Sequence, residues 1–390
     1  MNSQGLIHRA TERLTRLFRT LVREPQGMLG KGILHFVMGI IGPMMLAGTM
    51  ASAAAMLTPR EFHTATLLPN GWVLIAGGES SSGSGVLASA ELFNPATGTF
   101  TATGSMNEAR FDHTATQLPD GKVLIAGGRG NNGPPASAEL FNPATGTFTA
   151  TGAMRVPRSG HTASLLPSGM VLIAGGTSSA SAELFDPARG TFTPTGNMTT
   201  ARVHHTATLL SNGQVLLAGG WSLNLPVASA EVFNPATGSF TATGPMTRGR
   251  VYHSAVRLPN GQVLIAGGGN NSPNLLAMTS AELFNPSTGT FTATGPMTTP
   301  RFYHTATVLP NGQVLLAGGK DNIPYDRPPA VAAVAGTERF NPPTGTFTTA
   351  GDLAVPRFLH TATLLLNGQV LITGGESSGF VLAGTELVGP

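Results

Sequence analysis

Hydrophobic and polar positions follow one pattern that returns seven times between residues 58 and 390. Each copy opens with a strand-like segment such as HTATLLP, which ends at a Pro-Asn-Gly type of turn. An apolar run, VLIA in most copies, follows and closes on Gly-Gly. After a loop come SAELFNP and TFTATG, separated by an Ala-Thr-Gly turn. Short strands rich in Thr, Val, Leu, Ile and Phe, bounded by turn residues, predict antiparallel hairpins.

Four strands in a repeat of about 40–50 residues match the blade of a β-propeller. We therefore predict an all-β fold, a seven-bladed β-propeller of four-stranded antiparallel blades, over residues 58–390. Neighbouring blades cover both faces of each inner strand, which explains why VLIA is continuously apolar and does not alternate.

Closure of the ring needs one strand from elsewhere. The seventh copy ends at GTELVGP, where the others continue into a fourth strand. Residues 50–56 lie where a fourth strand would precede Arg60, and Met56 stands four residues before its Arg, as Met106 does before Arg110. We expect residues 50–56 to close the last blade as its outer strand. A truncated chain is the alternative.

The N-terminal residues 1–57 have a different composition. They hold six basic and two acidic residues, a net charge of +4, and residues 32–59 carry no charge. A basic segment, an apolar run and A-x-A sites at 51–53 and 53–55 predict an apolar helix that is a signal peptide or an uncleaved membrane anchor. Either places the repeats outside the cytoplasm, as a secreted, periplasmic or cell-surface protein. Cleavage after Ala53 competes with closure by 50–56, and translation from Met1 or Met28 stays open.

Composition excludes several classes of function. The 390 residues include no Cys, which rules out disulfides and Cys-ligated metals. The whole chain is +3, so the repeats carry about −1 once the N-terminal +4 is subtracted. A near-neutral body lacks the basic surface of a nucleic-acid binder. We expect no nucleic-acid partner, no cofactor and no metal, membrane contact only through an uncleaved N-terminal segment, and a monomer.

Every copy also repeats three ionisable residues. An Arg stands three residues before a His, and a Glu follows Gly-Gly. A residue present in every blade solves a problem that every blade has, and buried charges need partners. We expect each Arg or His to be satisfied by the third-strand Glu of its own or a neighbouring blade, in a structural role. This structural set is Arg60, His63, Glu91, Arg110, His113, Glu139, Arg158, His161, Glu183, Arg202, His205, Glu231, Arg250, His253, Glu282, Arg301, His304, Glu338, Arg357, His360 and Glu386.

The pattern R…H…GG…E-x-F-N-P…T-F resembles the kelch repeat, a family whose members form β-propellers. Two positions depart from it: Phe93 and Phe100, with their equivalents, stand where the family has Tyr and Trp. The pairs Tyr252-His253 and Tyr303-His304 resemble the copper-ligating Tyr-His pair of the galactose oxidase family. That family's radical cofactor needs a Cys, so the resemblance implies no copper radical chemistry here.

Variation in length falls only between Gly-Gly and Glu, where the gap ranges from 7 to 19 residues. In an antiparallel blade this connection emerges at the same end as the start of the first strand. Variable loops on a rigid scaffold commonly carry recognition. We therefore expect ligand-binding residues in these loops, namely Trp221, Asn224, Asp321, Tyr325, Asp326 and Arg327.

The residue just before each repeated His differs from copy to copy. Near the axis it offers an asymmetric polar site made of Asp112, His204, Tyr252 and Tyr303. No G-x-S-x-G, H-E-x-x-H or P-loop motif is present, and we assign no catalytic residue. The sequence predicts a binding protein that recognises a protein or a glycan. The alternatives are a carbohydrate-directed isomerase or lyase with a small polar axial site, and an architectural surface protein.

Overall fold

The computed structural model describes residues 51–52, 54–80, 85–270, 275–321 and 332–389. The chain divides into Met1–Gly48 and Thr49–Pro390, and every described residue belongs to the second unit. The predicted N-terminal helix lies outside the described residues. Within those residues all regular elements are β-strands. The described part of the chain contains no helix long and apolar enough to cross a membrane.

The predicted seven-bladed propeller is confirmed, with seven four-stranded antiparallel sheets. Six sheets run in chain order from the first strand to the fourth. Blades 1 to 3 are β2 Thr64–Leu67, β3 Val73–Ala76, β4 Ala90–Asn94 and β5 Thr99–Ala102; β6 Thr114–Gln117, β7 Val123–Ala126, β8 Ala138–Asn142 and β9 Thr147–Ala150; β10 Thr162–Leu165, β11 Val171–Ala174, β12 Ala182–Asp186 and β13 Thr191–Pro194. Blades 4 to 6 are β14 Thr206–Leu209, β15 Val215–Ala218, β18 Ala230–Asn234 and β19 Ser239–Ala242; β20 Ser254–Arg257, β21 Val263–Ala266, β24 Ala281–Asn285 and β25 Thr290–Ala293; β26 Thr305–Val308, β27 Val314–Ala317, β30 Gly336–Asn341 and β31 Thr346–Asp352.

The seventh blade takes its outer strand from the N-terminal side of the unit. Its sheet has the order β1-β36-β33-β32, where β32 is Thr361–Leu364, β33 is Val370–Thr373, β36 is Thr385–Val388 and β1 is Ala51–Ser52. Ala51 pairs with Leu387 and Ser52 with Glu386, which is the place assigned above to residues 50–56. The first strands of adjacent blades contact one another around the axis, including β32 with β2, and so the ring is closed. Cleavage after Ala53 would remove β1.

Four blades extend the connection between second and third strands into a small hairpin. These hairpins are β16 Trp221–Ser222 with β17 Leu225–Pro226, β22 Gly269–Asn270 with β23 Leu276–Ala277, β28 Lys320–Asp321 with β29 Ala332–Ala333, and β34 Glu376–Ser377 with β35 Phe380–Val381. In six of the seven blades the residue after Gly-Gly pairs with the residue two before His, as in Val203 with Trp221. The variable connections and the repeated histidines therefore share one end of the propeller, called here the loop face. The other end, with the first-to-second and third-to-fourth turns, is the turn face.

The second strand of every blade is fully buried because its alternate side chains enter two different cores. In blade 1, Leu74 and Ala76 pack against Phe141 of blade 2. Val73 from the same strand packs on the other side against Leu371 of blade 7. Seven such clusters fill the seven spaces between blades. Each buried Val, Leu or Ile adds roughly 1.5–3 kcal/mol of hydrophobic stabilisation.

The predicted arginine–glutamate pair is present in all seven blades, with N–O distances from 2.6 to 3.1 Å. In blade 1 the buried Arg60 bonds Glu91 and also donates from Nη1 to the carbonyl of Gly77, 2.8 Å away. The Glu91 carboxylate accepts the amide N–H groups of Leu57 and Thr58. One ion pair thus ties together the entry connection, the end of the second strand and the third strand.

We predict that Glu183→Gln destabilises the fold. Its carboxylate lies 2.7 Å from Arg158 Nη2, and both side chains are buried. Removing one partner of a buried ion pair costs about 3–5 kcal/mol, because the other charge stays buried. Denaturant unfolding should show a lower midpoint. Asp120→Asn, which breaks the half-exposed pair with Lys122, is the control and should cost less than about 1 kcal/mol. Equal effects of the two substitutions would contradict a structural ion pair.

Candidate functional site

The repeated histidines link neighbouring blades around the axis. Each is 5–7% exposed at the start of its first strand. Its Nε2 is hydrogen-bonded to the hydroxyl that follows the His of the preceding blade, as for His113 with Thr64 (3.0 Å) and His304 with Ser254 (2.8 Å). Of the two residues for which a glutamate partner was predicted, arginine has it, and histidine bonds a hydroxyl of the preceding blade. The glutamates are already occupied by arginine and by backbone amides.

Burial keeps these histidines neutral. Loss of hydration lowers the pKa of His113, His161, His253 and His360 to about 3, and the arginine three residues earlier lowers it further. The pKa values of the other three are also well below the ordinary value, for the same reason. A neutral imidazole with its Nε2 engaged suits a link between blades.

Gly-Gly allows the next blade to approach. Gly77 and Gly78 both have positive φ, +62° and +98°. A Cβ on Gly77 would lie 2.8 Å from Cε1 of His113 in the next blade. The amide of Gly78 donates to the carbonyl of Arg110 at 2.9 Å. Any side chain here would push the Arg–His segment of the following blade away from the axis.

The unlike residues before each histidine share a strained backbone. The six that are not glycine have φ between +51° and +56°, and Gly160 has +61°. These non-glycine residues are Phe62, Asp112, His204, Tyr252, Tyr303 and Leu359. Non-glycine residues rarely adopt this left-handed region, and where they do they cluster at ligand and active sites.

A cavity of about 280 Å³ lies among these residues at the loop face. Three of the four predicted axial residues, Asp112, Tyr252 and Tyr303, line it. The complete lining is Phe62, His63, Asp112, His113, Tyr252, His253, Tyr303, His304, Leu359 and His360.

The four predicted axial residues lie together in one row. Asp112 Oδ1 is 3.9 Å from Nδ1 of His204. The His204 ring packs on Tyr252 at 4.9 Å between centroids, and Tyr252 packs on Tyr303 at 4.0 Å. The space for the His204 ring exists because blade 3 contributes glycine: a Cβ on Gly160 would lie 2.7 Å from His204 Cε1. The missing side chain lets blades 2 and 4 meet across blade 3.

Burial shifts the two ionisable groups of this row in opposite directions. It raises the pKa of Asp112 to about 7, against the lowering effect of Arg129. It lowers the pKa of His204 to about 4, and Arg129 adds to that shift. Between about pH 4 and 7 the couple is uncharged overall and holds one proton. It can therefore both donate to and accept from a hydroxyl of a ligand.

A second charged cluster lies beside the axis, where blades 6, 7 and 1 meet. Burial, followed by the charges of Glu376 and Glu79 and a hydrogen bond with Glu376, raises the pKa of Glu61 to about 7. The ammonium of Lys320 lies 5.0 Å from the centroid of the Phe358 ring. The sequence analysis did not select this cluster. Its signal was that Glu61 alone is charged among the seven residues that follow the repeated Arg.

The predicted loop residues lie apart from the cavity lining. Trp221 begins β16, Asn224 forms the turn of the same hairpin, and Asp321 ends β28. Tyr325, Asp326 and Arg327 lie outside the described residues.

The donor groups do not fit a copper radical site. The Nε2 atoms of His253 and His304 are hydrogen-bonded to hydroxyls, and the two tyrosine rings pack on each other. The chain has no Cys to crosslink to a tyrosine. Across the described part of the chain, no three His, Asp or Glu residues are grouped to hold a metal ion.

No protein-family model and no curated protein sequence matches the chain. Among solved structures, it is similar to a fungal alcohol oxidase of the AA5 family, determined in complex with copper. The TM-score is 0.73 at 17% identity, over 88% of this chain and 76% of the oxidase. At that identity the likeness establishes the propeller fold and does not extend to the chemistry.

Stability should fall as the pH drops from 6.5 towards 3. Eight histidines have folded pKa values below the unfolded value of about 6.5, so the unfolded chain binds more protons in this range. Each extra proton steepens the loss of unfolding free energy by about 1.4 kcal/mol per pH unit. Asp112 and Glu61 act oppositely, since their pKa values are raised, but they are only two. Denaturant midpoints measured from pH 7 to pH 4 test this, and a flat profile would refute neutral buried histidines.

Proposed function

We propose that this kelch-like propeller acts outside the cytoplasm as a binding module that recognises a protein or a glycan through its loop face. The observation that carries the proposal is that the residues that differ from repeat to repeat lie at one end of the propeller. The residue before His lines the axial cavity in five blades, and the described parts of the variable connections lie at the same end of the propeller. The turn face repeats near-identical Asn-Gly and Asn-Pro-Ala-Thr-Gly turns from blade to blade.

The chemistry of the cavity favours a glycan over a protein side chain. Ligand sites combine aromatic surface with a few placed polar groups. Here Phe62, Tyr252 and Tyr303 line the cavity with aromatic side chains, which suit the C–H groups of a sugar. Asp112, which lines the cavity beside His204, supplies a carboxyl group that can both donate to and accept from hydroxyls. A volume of about 280 Å³ lies at the lower end of the range for small-molecule pockets, so it suits a small ligand group such as a terminal sugar.

Location outside the cytoplasm rests on the sequence of residues 1–57. Basic residues precede an uncharged, apolar run there, which is the pattern of a signal peptide or anchor. A glycan ligand agrees with that location, because most extended glycans are displayed outside the cytoplasm.

We expect Asp112→Asn to weaken glycan capture about two- to tenfold, because one hydrogen bond between uncharged groups contributes about 0.5–1.5 kcal/mol. The measurement is a glycan array with the full chain, followed by titration of the best hit. Asp120→Asn makes the same chemical change on the turn face and should leave affinity unchanged. A protein ligand is sought in parallel by crosslinking. Capture of neither class, or equal loss in both variants, would contradict the proposal.

A carbohydrate-directed isomerase or lyase is the second candidate, and the Asp112–His204 couple is the observation that favours it. General acid–base catalysis works best when a group titrates near the operating pH, and the pKa of Asp112 is raised to about 7. Incubating the array's best glycan with wild type and with Asp112→Asn separates the two roles. Product formed only by wild type supports the enzyme, and binding without turnover supports the module.

A further inference from the structure

Exposed large apolar side chains are concentrated on the loop face. Among the described residues eight are exposed, and Leu366 alone belongs to the turn face. The other seven belong to connections at the loop face: Leu57, Val156, Leu223, Leu225, Leu276, Val355 and Phe380. Single exposed apolar residues are ordinary on any protein. Their confinement to one end of the propeller calls for a physical explanation.

The hairpin of blade 4 presents its apolar residues at a conformational cost. Leu223 is 93% exposed with φ +48°, and Asn224 follows with φ +62°. Two positive φ values define a turn in which Asn, Asp and Gly are preferred. The equivalent turn in blade 7 uses Ser378 and Gly379. Neither turn geometry nor packing therefore accounts for leucine at position 223.

These hairpin tips are also uncharged. Residues 219–229, GGWSLNLPVAS, contain no ionisable side chain, and neither do residues 377–384 around Phe380. Phe380 is 72% exposed and Leu225, beside the blade 4 turn, is 58% exposed. Trp221 begins the same hairpin as Leu225. Uncharged segments that carry Trp, Leu and Phe are suited to a membrane–water interface.

The most exposed hairpin tips stand on blades 4 and 7, with blades 5 and 6 between them. Leu223 belongs to blade 4, Leu276 to blade 5 and Phe380 to blade 7. A protein partner of fixed shape needs a continuous complementary surface. A bilayer accepts separate apolar tips that project from one end of a molecule.

We propose that the loop face docks on a lipid surface by inserting the hairpin tips of blades 4 and 7, with Trp221 at the interface. The contact is apolar, so it needs no anionic lipid and is insensitive to salt. This docking goes beyond recognition of a protein or glycan. It does not depend on whether the axial cavity binds a sugar.

The two tryptophans allow a direct test with the full chain. Trp72 follows the Asn-Gly turn of blade 1 on the turn face, and Trp221 lies in the blade 4 hairpin. Trp72→Phe leaves only Trp221 to report, and Trp221→Phe leaves only Trp72. Each variant is mixed with phosphatidylcholine vesicles that carry brominated acyl chains. Because the chain also contains the apolar N-terminal segment, the depth of each tryptophan decides, and total binding does not.

We expect vesicles to quench Trp221 about twofold or more and to shift its emission to the blue, in low and high salt alike, while Trp72 is unaffected. Leu223→Asn, made in the Trp72→Phe background, should reduce this quenching without loss of stability, since Asn suits the turn. Leu366→Asn is the matched control, the same substitution at a 77% exposed position on the turn face.

Three outcomes would overturn the proposal. One is equal quenching of the two tryptophans. Another is equal loss of quenching in Leu223→Asn and Leu366→Asn. The third is an unquenched Trp221, and a protein crosslinked at the hairpin would then assign the tips to a protein surface. Loss of glycan binding in Asp112→Asn would be independent of all three results.

Discussion

The buried ion pair between arginine and glutamate is the interaction on which the blade depends. A buried guanidinium and carboxylate are costly unless further hydrogen bonds accompany the ion pair. Here arginine also donates to the first glycine of Gly-Gly, 17 residues further on in every blade. Glutamate also accepts amides of the connection that enters its blade. The constant spacing between Arg and Gly-Gly follows from this, because one inserted residue would leave a buried charge without its partners.

These fixed points decide where the chain is free to vary. Arg and His are held three residues apart, one in the blade and the other against the preceding blade. The residue before His is thereby forced into the left-handed region beside the axis, whatever its side chain. The connection from Gly-Gly to Glu is held only at its ends, so its length varies. The variable residue before His and the variable connection both lie on the loop face. This explains why the axial cavity and the apolar tips share one end of the propeller.

Local patterns were enough to predict the blades, the ring closure near residue 51 and the Arg–Glu pairs, because each follows from spacing within one repeat. Contacts between blades were less accessible. The hydroxyl partner of each histidine lies 43 to 55 residues away in six cases and 298 in the seventh. The Glu61–Glu376 contact needs the first and last blades to adjoin. Gly160 acts through the absence of a side chain, which makes room for the His204 ring. In the sequence it is only one of seven different residues that precede the repeated His.

The seam between blades 7 and 1 differs chemically from the other six. Thr373 stands where six blades have alanine, and His63 bonds both Thr361 and Thr373. Thr385 also donates to the carbonyl of Ala54, in the segment that follows β1. Hydroxyl hydrogen bonds thus reinforce the one blade whose strands come from both ends of the ring. Glu61 of blade 1 and Glu376 of blade 7 are hydrogen-bonded across the same seam. The raised pKa of Glu61 therefore depends in part on the closure of the ring.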